Sequence, residues 1–204
     1  MKTDDFTISG VTDLISRGFE LDHVIKTLKT LDYSIIENLP YEEEGSSEQW
    51  KEITLAYPYS LQILMYNNSI AGYIRFVPLK QEYFEKAKRG QLLDSEITLE
   101  KLDDTRRSGR YKLYFVMLGI KKEFQHKGLL PVLLKGLEKE LASLEKDGVY
   151  FDEVCADAYT PVGEAICKRL GMQKITKHVG RGAVYFKRFP LTFEGAGFMP
   201  ADAF

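Results

Sequence analysis

Residues 111–120, YKLYFVMLGI, are aromatic and β-branched with almost no charge after Lys112, the pattern of a strand covered on both faces. Residues 121–127 break that run with Lys121, Lys122, Glu123, His126 and Lys127. From Gly128 onward Leu130, Leu133, Leu134, Leu137, Leu141 and Leu144 recur at helical spacing, with Pro131 in the first turn and Gly148 as a stop. The centre of the chain therefore predicts a buried strand, a tight charged turn and a helix.

The flanks read less sharply. Residues 6–31 predict one or two short helices, with Leu21, Val24, Ile25 and Leu28 on one face and Asp22 near a helix start. A first strand fits residues 6–8 or 33–36, and the pattern does not choose between them. Glu42, Glu43, Glu44, Gly45, Ser46 and Ser47 predict an acidic, solvated connection, followed by a short helix with the sole tryptophan, Trp50. Residues 61–66 and 70–77 predict an antiparallel hairpin through Asn67, Asn68 and Ser69. Gly72 inside the second strand marks a bulge, a close backbone approach or mere slack.

Residues 81–110 predict a helix around Tyr83, Phe84 and Ala87 stopped by Gly90, then another helical turn at 97–102. Past the central helix, residues 151–158 predict a strand, and Thr160 with Pro161 opens a helix that Gly171 ends. Residues 173–179 and 183–189 predict a second hairpin through Gly180, Arg181 and Gly182. The end, residues 191–204, is rich in Gly, Pro, Phe and Ala without period, and predicts a surface strap or a disordered segment.

At 204 residues the chain can bury one full core, so a single domain over 1–204 is expected, with a helical part at 1–60, an insertion at 81–110 and a tail at 191–204. A net charge of −2 with interspersed signs argues against nucleic acid and against a membrane surface as partners. Cys155 and Cys167 are too few for a disulfide scaffold. A polar start and no long apolar run complete a cytoplasmic expectation.

A strand feeding through glycine into a helix leaves backbone amides unpaired at the positive end of the helix dipole, which favours an anion. Lys121, Lys122, His126 and Lys127 reinforce it, so a phosphate-bearing ligand is the natural guess, and an ordinary strand, turn and helix of an α/β protein is the alternative. Neither Gly-x-x-x-x-Gly-Lys-Ser/Thr nor Gly-x-Gly-x-x-Gly occurs, so nucleoside triphosphate and dinucleotide binding lack their signatures.

The segment LGIKKEFQHKGLL resembles the acetyl-CoA strand and pyrophosphate loop of the GNAT N-acetyltransferase superfamily, with Ile120, Gln125 and Gly128 at matching positions. Leu130 departs from the family's small residue and Pro131 lacks an NH, which implies a looser pyrophosphate contact or a shifted helix start. A second block, TPVGEAICKRLGM, resembles the family's later helix: Thr160 stands where an Asn often bonds pantetheine, and Leu170, Gly171 and Met172 match the closing triplet. The resemblance spans residues 61–190.

It implies a GNAT-like α/β (α+β) domain with a mixed, mostly antiparallel central sheet of about six to seven strands flanked by helices, and a helical insertion before the cofactor strand. Acetyl-CoA, or another short acyl-CoA, would lie against the backbone of Leu118, Gly119 and Ile120, with its pyrophosphate on Gln125, His126, Lys127, Gly128, Leu129 and Leu130, and Thr160 beside the pantetheine. An amine would attack the thioester directly, with an amide near Leu118 facing the oxyanion. No metal is required, and His23, His126 and His178 offer no ligand cluster.

Counting back from Leu170 and Gly171 puts Cys167 at the family's usual tyrosine acid, where it is either a proton donor or a packed apolar side chain. Asp157 shares a strand face with Cys155 and is the first candidate for the base; a capping role and a solvated carboxylate are the alternatives. Tyr114 orients a water, lines the acceptor pocket, or is core. The insertion either covers the acceptor side and selects substrate, or is a surface elaboration or dimer contact. The acceptor amine, small molecule or protein, is not legible, and a homodimer is compatible with the chain but marked by no residue. The alternative to an enzyme is a non-catalytic acyl-CoA-binding or regulatory module, which Leu130, Cys167 and the lack of a carboxylate on the cofactor strand favour.

Overall fold

The central apolar run forms β4 (Gly109–Ile120), the middle strand of a seven-stranded sheet ordered β1-β2-β3-β4-β5-β7-β6. In the computed structural model, which describes residues 5–191, its companions are β1 (Phe6–Gly10), β2 (Leu61–Tyr66), β3 (Ser69–Leu79), β5 (Val149–Ala158), β6 (Gln173–Lys177) and β7 (Ala183–Arg188). Every neighbouring pair is antiparallel except β4 and β5, which run parallel. The helices are α1 (Val11–Ser16), α2 (Leu21–Ile35), α3 (Ser47–Ala56), α4 (Gln81–Lys88), α5 (Leu130–Lys146) and α6 (Pro161–Arg169). None among the described residues is long and apolar enough to cross a membrane.

Alternation along β4 divides the core in two. Tyr111, Leu113 and Phe115 point into a cluster with α5 and α6, while Tyr114 points into the cluster with α1 to α4. The six leucines spaced along α5 are all buried in the first cluster. Each contributes about 1.5–3 kcal/mol relative to exposure, which fixes the helix against the sheet. Leu130 is one of them at 8% exposure, so its bulk goes into the core beneath the loop. Pro131 falls within the first two helical positions, so the amide it lacks has no partner to lose.

The first strand is at the chain start, paired with β2 from Phe6↔Tyr66 to Gly10↔Gln62, whereas residues 33–35 finish α2. Of the two alternatives for a first strand, the one at 6–8 is formed, and α1, α2 and α3 follow it; Phe6 stacks on Tyr66 and meets Phe124 edge-on, aromatic contacts that tie the strand to the core. Asn67 and Asn68 both adopt positive φ, 45° and 61°, as a two-residue hairpin turn requires. Gly72 is a close approach: a Cβ there would sit 2.5 Å from the Gly119 carbonyl oxygen. The register of β2 against β3 also shifts beside it.

The insertion is ordered as expected, with α4, a stop at Gly90 and short 3-10 turns at Asp94–Glu96 and Leu99–Lys101. Its base is closed by a bridge between Leu79 and Leu102, and Gln49 of α3 donates to the carbonyls of Asp94 and Ile97. The acidic connection is the clearest departure. Ser95 binds it at both the Glu42 and Glu43 carbonyls, and the Glu44 side chain turns inward to 7% exposure opposite Lys29. Glu43 accepts from the Tyr159 hydroxyl at 3.2 Å, so Glu43 and Glu44 are structural rather than solvated, while Glu42 remains exposed. The strap or disordered end read at 191–204 lies outside the described residues except for buried Leu191.

Candidate active site

The parallel pairing of β4 with β5 runs from Gly109↔Val149 to Phe115↔Ala156 and ends there, while β4 stays paired with β3 as far as Gly72↔Ile120. A register shift opposite Arg75 and Phe76 makes Val116 a bulge residue, which bends β4 where it leaves β5. The last part of β4, including Leu118, Gly119 and Ile120, consequently shows an unpaired edge to a cavity of about 690 Å³.

The loop after β4 closes one end of that cavity. Phe124 is buried against Phe6 and Tyr66, and the Gln125 side chain donates to the Ile120 carbonyl at 2.8 Å, so the strand end and the loop are tied together. His126 and Gly128 take positive φ, 59° and 68°, and turn the chain into α5. The backbone amides of His126, Lys127, Gly128, Leu129 and Leu130 find no carbonyl acceptor among the described residues. Five consecutive free amides at a helix N-terminus form an anion cradle. All five residues line the cavity, as do Lys122 and Gln125.

Thr160 lines it too, but its oxygen accepts from the Gly163 amide at 3.0 Å as the N-cap of α6. The hydroxyl proton stays available for donation. Cys167 also faces the cavity from α6 while packed in the first cluster at 7% exposure. Burial pushes its thiol up to about 12, so it is neutral at every ordinary pH. Cys155 is fully buried core.

The other end of the cavity is polar, on the opposite face of the sheet from Cys167. The Tyr114 hydroxyl donates to Asp157 Oδ2 at 2.9 Å and reaches Asp94 Oδ1 at 3.3 Å, so Tyr114 is both a core residue and part of the cavity wall. Asp157 also meets His178 Nε2 at 3.2 Å. That nitrogen lies 2.9 Å from the Leu92 carbonyl, which only accepts, and Nδ1 lies 3.2 Å from the Gly180 amide, which only donates. That arrangement suits Nε2 as the donor and Nδ1 as the acceptor. Burial pushes Asp157 up to about 7, and the Tyr114 hydrogen bond limits the rise. Asp94 is pushed up to about 8, by burial first and then by the charge of Asp157.

Around these groups stand Asp32, Glu43, Glu44, Trp50, Tyr73, Arg75 and Tyr159. Both Asp32 oxygens lie within hydrogen-bond distance of the Tyr73 hydroxyl, at 2.6 and 2.7 Å, and burial pushes the acid up to about 7. Sequence reasoning missed Arg75, Asp32, Asp94 and His178. For two of them a local cue exists: Arg75 interrupts the apolar run of β3, and Asp32 falls four residues after Leu28 on the buried face of α2. Asp94 and His178 arrive from the insertion and from the end of β6, and nothing in their own segments marks them.

No family model matches the sequence, and no curated protein matches it. Solved structures do match in fold. An Arabidopsis thaliana Naa50, in complex with the bisubstrate analogue CoA-Ac-MVNAL, is 15% identical with a TM-score of 0.54 over 91% of this chain and 99% of that one. A GNAT-family acetyltransferase from Staphylococcus aureus Mu50 is 11% identical with a TM-score of 0.55, covering 91% and 99%. An agmatine N-acetyltransferase is 14% identical with a TM-score of 0.55, covering 90% and 100%. The splayed parallel pair, the loop between β4 and α5, and these likenesses agree: the chain has the fold of the GNAT acetyltransferases.

Proposed function

We propose that the protein is an N-acyltransferase that moves an acetyl group, or another short acyl group, from acyl-CoA to an amine. The observation that carries this reading is the run of five free amides from His126 to Leu130, set at the mouth of a cavity that continues along the unpaired edge of β4. A diphosphate fits the cradle, and an amide-rich arm fits the strand edge beside Leu118, Gly119 and Ile120, with Thr160 as a donor. The Naa50 neighbour, which is in complex with a CoA-linked bisubstrate analogue, supports acyl-CoA as the guest.

A thioester supplies an activated carbonyl and a good leaving group. The amine nitrogen bonds to the carbonyl carbon, the C–S bond breaks, and the amine's proton passes to Asp157. Asp157 suits the task because its carboxylate is held near neutrality, by burial, within reach of Tyr114 and His178. Cys167 is a poor acid for the leaving thiolate: a thiol held at about 12 gives up its proton less readily than an ordinary one. Solvent protonates the thiolate instead, and Cys167 packs α6 against the sheet.

The test is the thermal midpoint with acetyl-CoA, CoA and ATP added separately, followed by CoA-thiol release with amine acceptors. Acetyl-CoA and CoA raise the midpoint, since each binds only the folded chain, and ATP does not. No shift at millimolar CoA overturns the reading. Tight binding without turnover on any amine would make the chain an acyl-CoA-binding module.

A further inference from the structure

Arg75 is 2% exposed, and neither its Nε nor its Nη2 has a hydrogen-bond partner among the described residues. Its guanidinium lies 4.5 Å from the Trp50 ring centre and 5.6 Å from that of Tyr73. Those faces stabilise the cation without satisfying its donors. A buried guanidinium with open donors is costly unless something accepts from it, and its planar fork matches a carboxylate with two parallel hydrogen bonds.

The same wall carries the opposite deficit. Both Glu44 oxygens and Asp157 Oδ1 are buried without a hydrogen-bond partner, and Lys29 approaches Glu44 only to 3.6 Å. Arg75 and Glu44 both act electrostatically on Asp32 and on Asp94, so the four groups share one end of the cavity. The site thus offers a single guest one buried cation with open donors and two carboxylates with open acceptor oxygens. A diamine would satisfy the acids and leave Arg75 open. A peptide N-terminus brings an ammonium, but its α-carboxylate is tied up in the peptide bond.

Spacing narrows the guest further. Arg75 is on β3 and Asp157 on β5, with β4 between them. Two inter-strand steps amount to about 10 Å between backbones where strands are paired, and because the β4–β5 pairing ends at Ala156 the gap at Asp157 is wider, with side chains reaching inward from both sides. A short molecule with a carboxylate at one end and an amine at the other spans that gap.

On the acyltransferase reading, we propose that the acceptor is a free diamino acid, with its carboxylate on Arg75, its α-ammonium beside Glu44 and its side-chain amine delivered to Tyr114 and Asp157. The side-chain ammonium first gives one proton to solvent; the neutral nitrogen then takes the acyl group as the C–S bond breaks, its second proton goes to Asp157, and CoA leaves as thiolate and is protonated by solvent. The product keeps the carboxylate and the α-ammonium and loses one positive charge.

The experiment compares ornithine, lysine and 2,4-diaminobutyrate with putrescine, cadaverine, 1,3-diaminopropane and a tetrapeptide with a free N-terminus, following CoA-thiol release. Acetyl-CoA affinity is measured by calorimetry on the same preparations. One diamino acid exceeds its decarboxylated counterpart by about 30-fold or more in kcat/KM, mostly through KM, as loss of a buried charge-assisted pair entails. Arg75→Lys keeps the charge but not the fork, and narrows that preference by about tenfold or more while acetyl-CoA affinity holds. Glu44→Gln raises KM for the same diamino acid by roughly tenfold, which gives a second readout if the Arg75 variant folds poorly. A diamine or the peptide turned over as well as any diamino acid overturns the assignment. So does acetyl-CoA binding with no turnover across the panel. Loss of acetyl-CoA binding itself would instead remove the acyltransferase reading underneath.

Discussion

The phenol of Tyr114 stands between two carboxylates, 2.9 Å from Asp157 Oδ2 and 3.3 Å from Asp94 Oδ1. It has one proton to give, and the shorter bond goes to Asp157, whose anion it stabilises. Tyr114→Phe removes that support, so the Asp157 carboxyl rises further. The acidic limb of the kcat/KM profile then moves to higher pH, and the rate at pH 7 drops by about tenfold for each unit moved. A variant profile that superimposes on the wild type would detach Tyr114 from the proton transfer.

Asp157→Asn keeps the shape and removes the base. Catalysis falls by about 10²–10⁴-fold, the usual contribution of general base catalysis. The sign of the pH dependence follows from the protonation state that works. The carboxylate accepts the proton, so wild-type activity rises as pH climbs through about 7 and the rise is absent in the variant. Asp94 on the insertion, Tyr114 on β4 and His178 after β6 are the groups that face it. Retention of wild-type kcat and the same rise in the Asn protein would assign the base elsewhere.

Gly128 takes φ of +68° with nothing within 4 Å of where a Cβ would be, so the cost of Gly128→Ala is purely conformational. Left-handed backbone costs an alanine about 1–2 kcal/mol. The loop relieves this by turning the free amides away from one another, and acetyl-CoA affinity falls by about tenfold, equivalent to ~1.4 kcal/mol. Titration calorimetry reads it directly. An unchanged Kd would place the diphosphate away from residues 126–130.

The fold was legible because local signals agreed with one another along the central stretch. The apolar run of β4, the glycine before α5, the leucine stripe, and the Thr160 and Pro161 helix start each imply the same connection, and all are local. The acceptor end was not legible, because its groups meet only in three dimensions. Glu43 and Glu44 look like a solvated run until Lys29, Ser95 and Tyr159 fold around them. Asp94 is an ordinary loop aspartate until β4 supplies Tyr114, and His178 has no neighbour in sequence that hints at Asp157. Arg75 was the visible exception, a charge in a strand whose neighbours are apolar.

Cys167 separates packing from acid catalysis by a pair of substitutions. Packed at 7% exposure with Ile166, Leu170 and Met172, its sulfur fills space in the first core cluster. Cys167→Ala lowers stability by about 1–2 kcal/mol and leaves kcat within about threefold. Cys167→Ser nearly preserves volume but buries a hydroxyl, at a similar cost in stability. A tenfold or larger fall in kcat for the alanine variant, with partial recovery in serine, would restore the thiol to the mechanism.

Asp32 ties the stability of the chain to pH. It is 6% exposed, and burial pushes it from 3.8 up to about 7, against the opposing effects of Tyr73 and Arg75. Glu44 and Asp94 add smaller upward effects from the neighbouring segments. Because the folded pKa is the higher one, the native chain keeps a proton that the unfolded chain has released. Its stability is therefore greatest at the acid side of this window and declines as pH rises from about 4 to about 7, by at most ~1.4 kcal/mol per unit for this one group. Asp157 and Asp94 titrate in the same sense, so Asp32→Asn flattens the decline without abolishing it. Tyr73 keeps an acceptor in the asparagine carbonyl, which holds the local structure. Urea midpoints measured at half-unit steps between pH 4.5 and 7.5 converge for the two proteins at the acid end, and the variant leads at the neutral end. Parallel curves would show that Asp32 ionises as freely in the folded chain as in the unfolded one, with Tyr73 and Arg75 fully offsetting its burial.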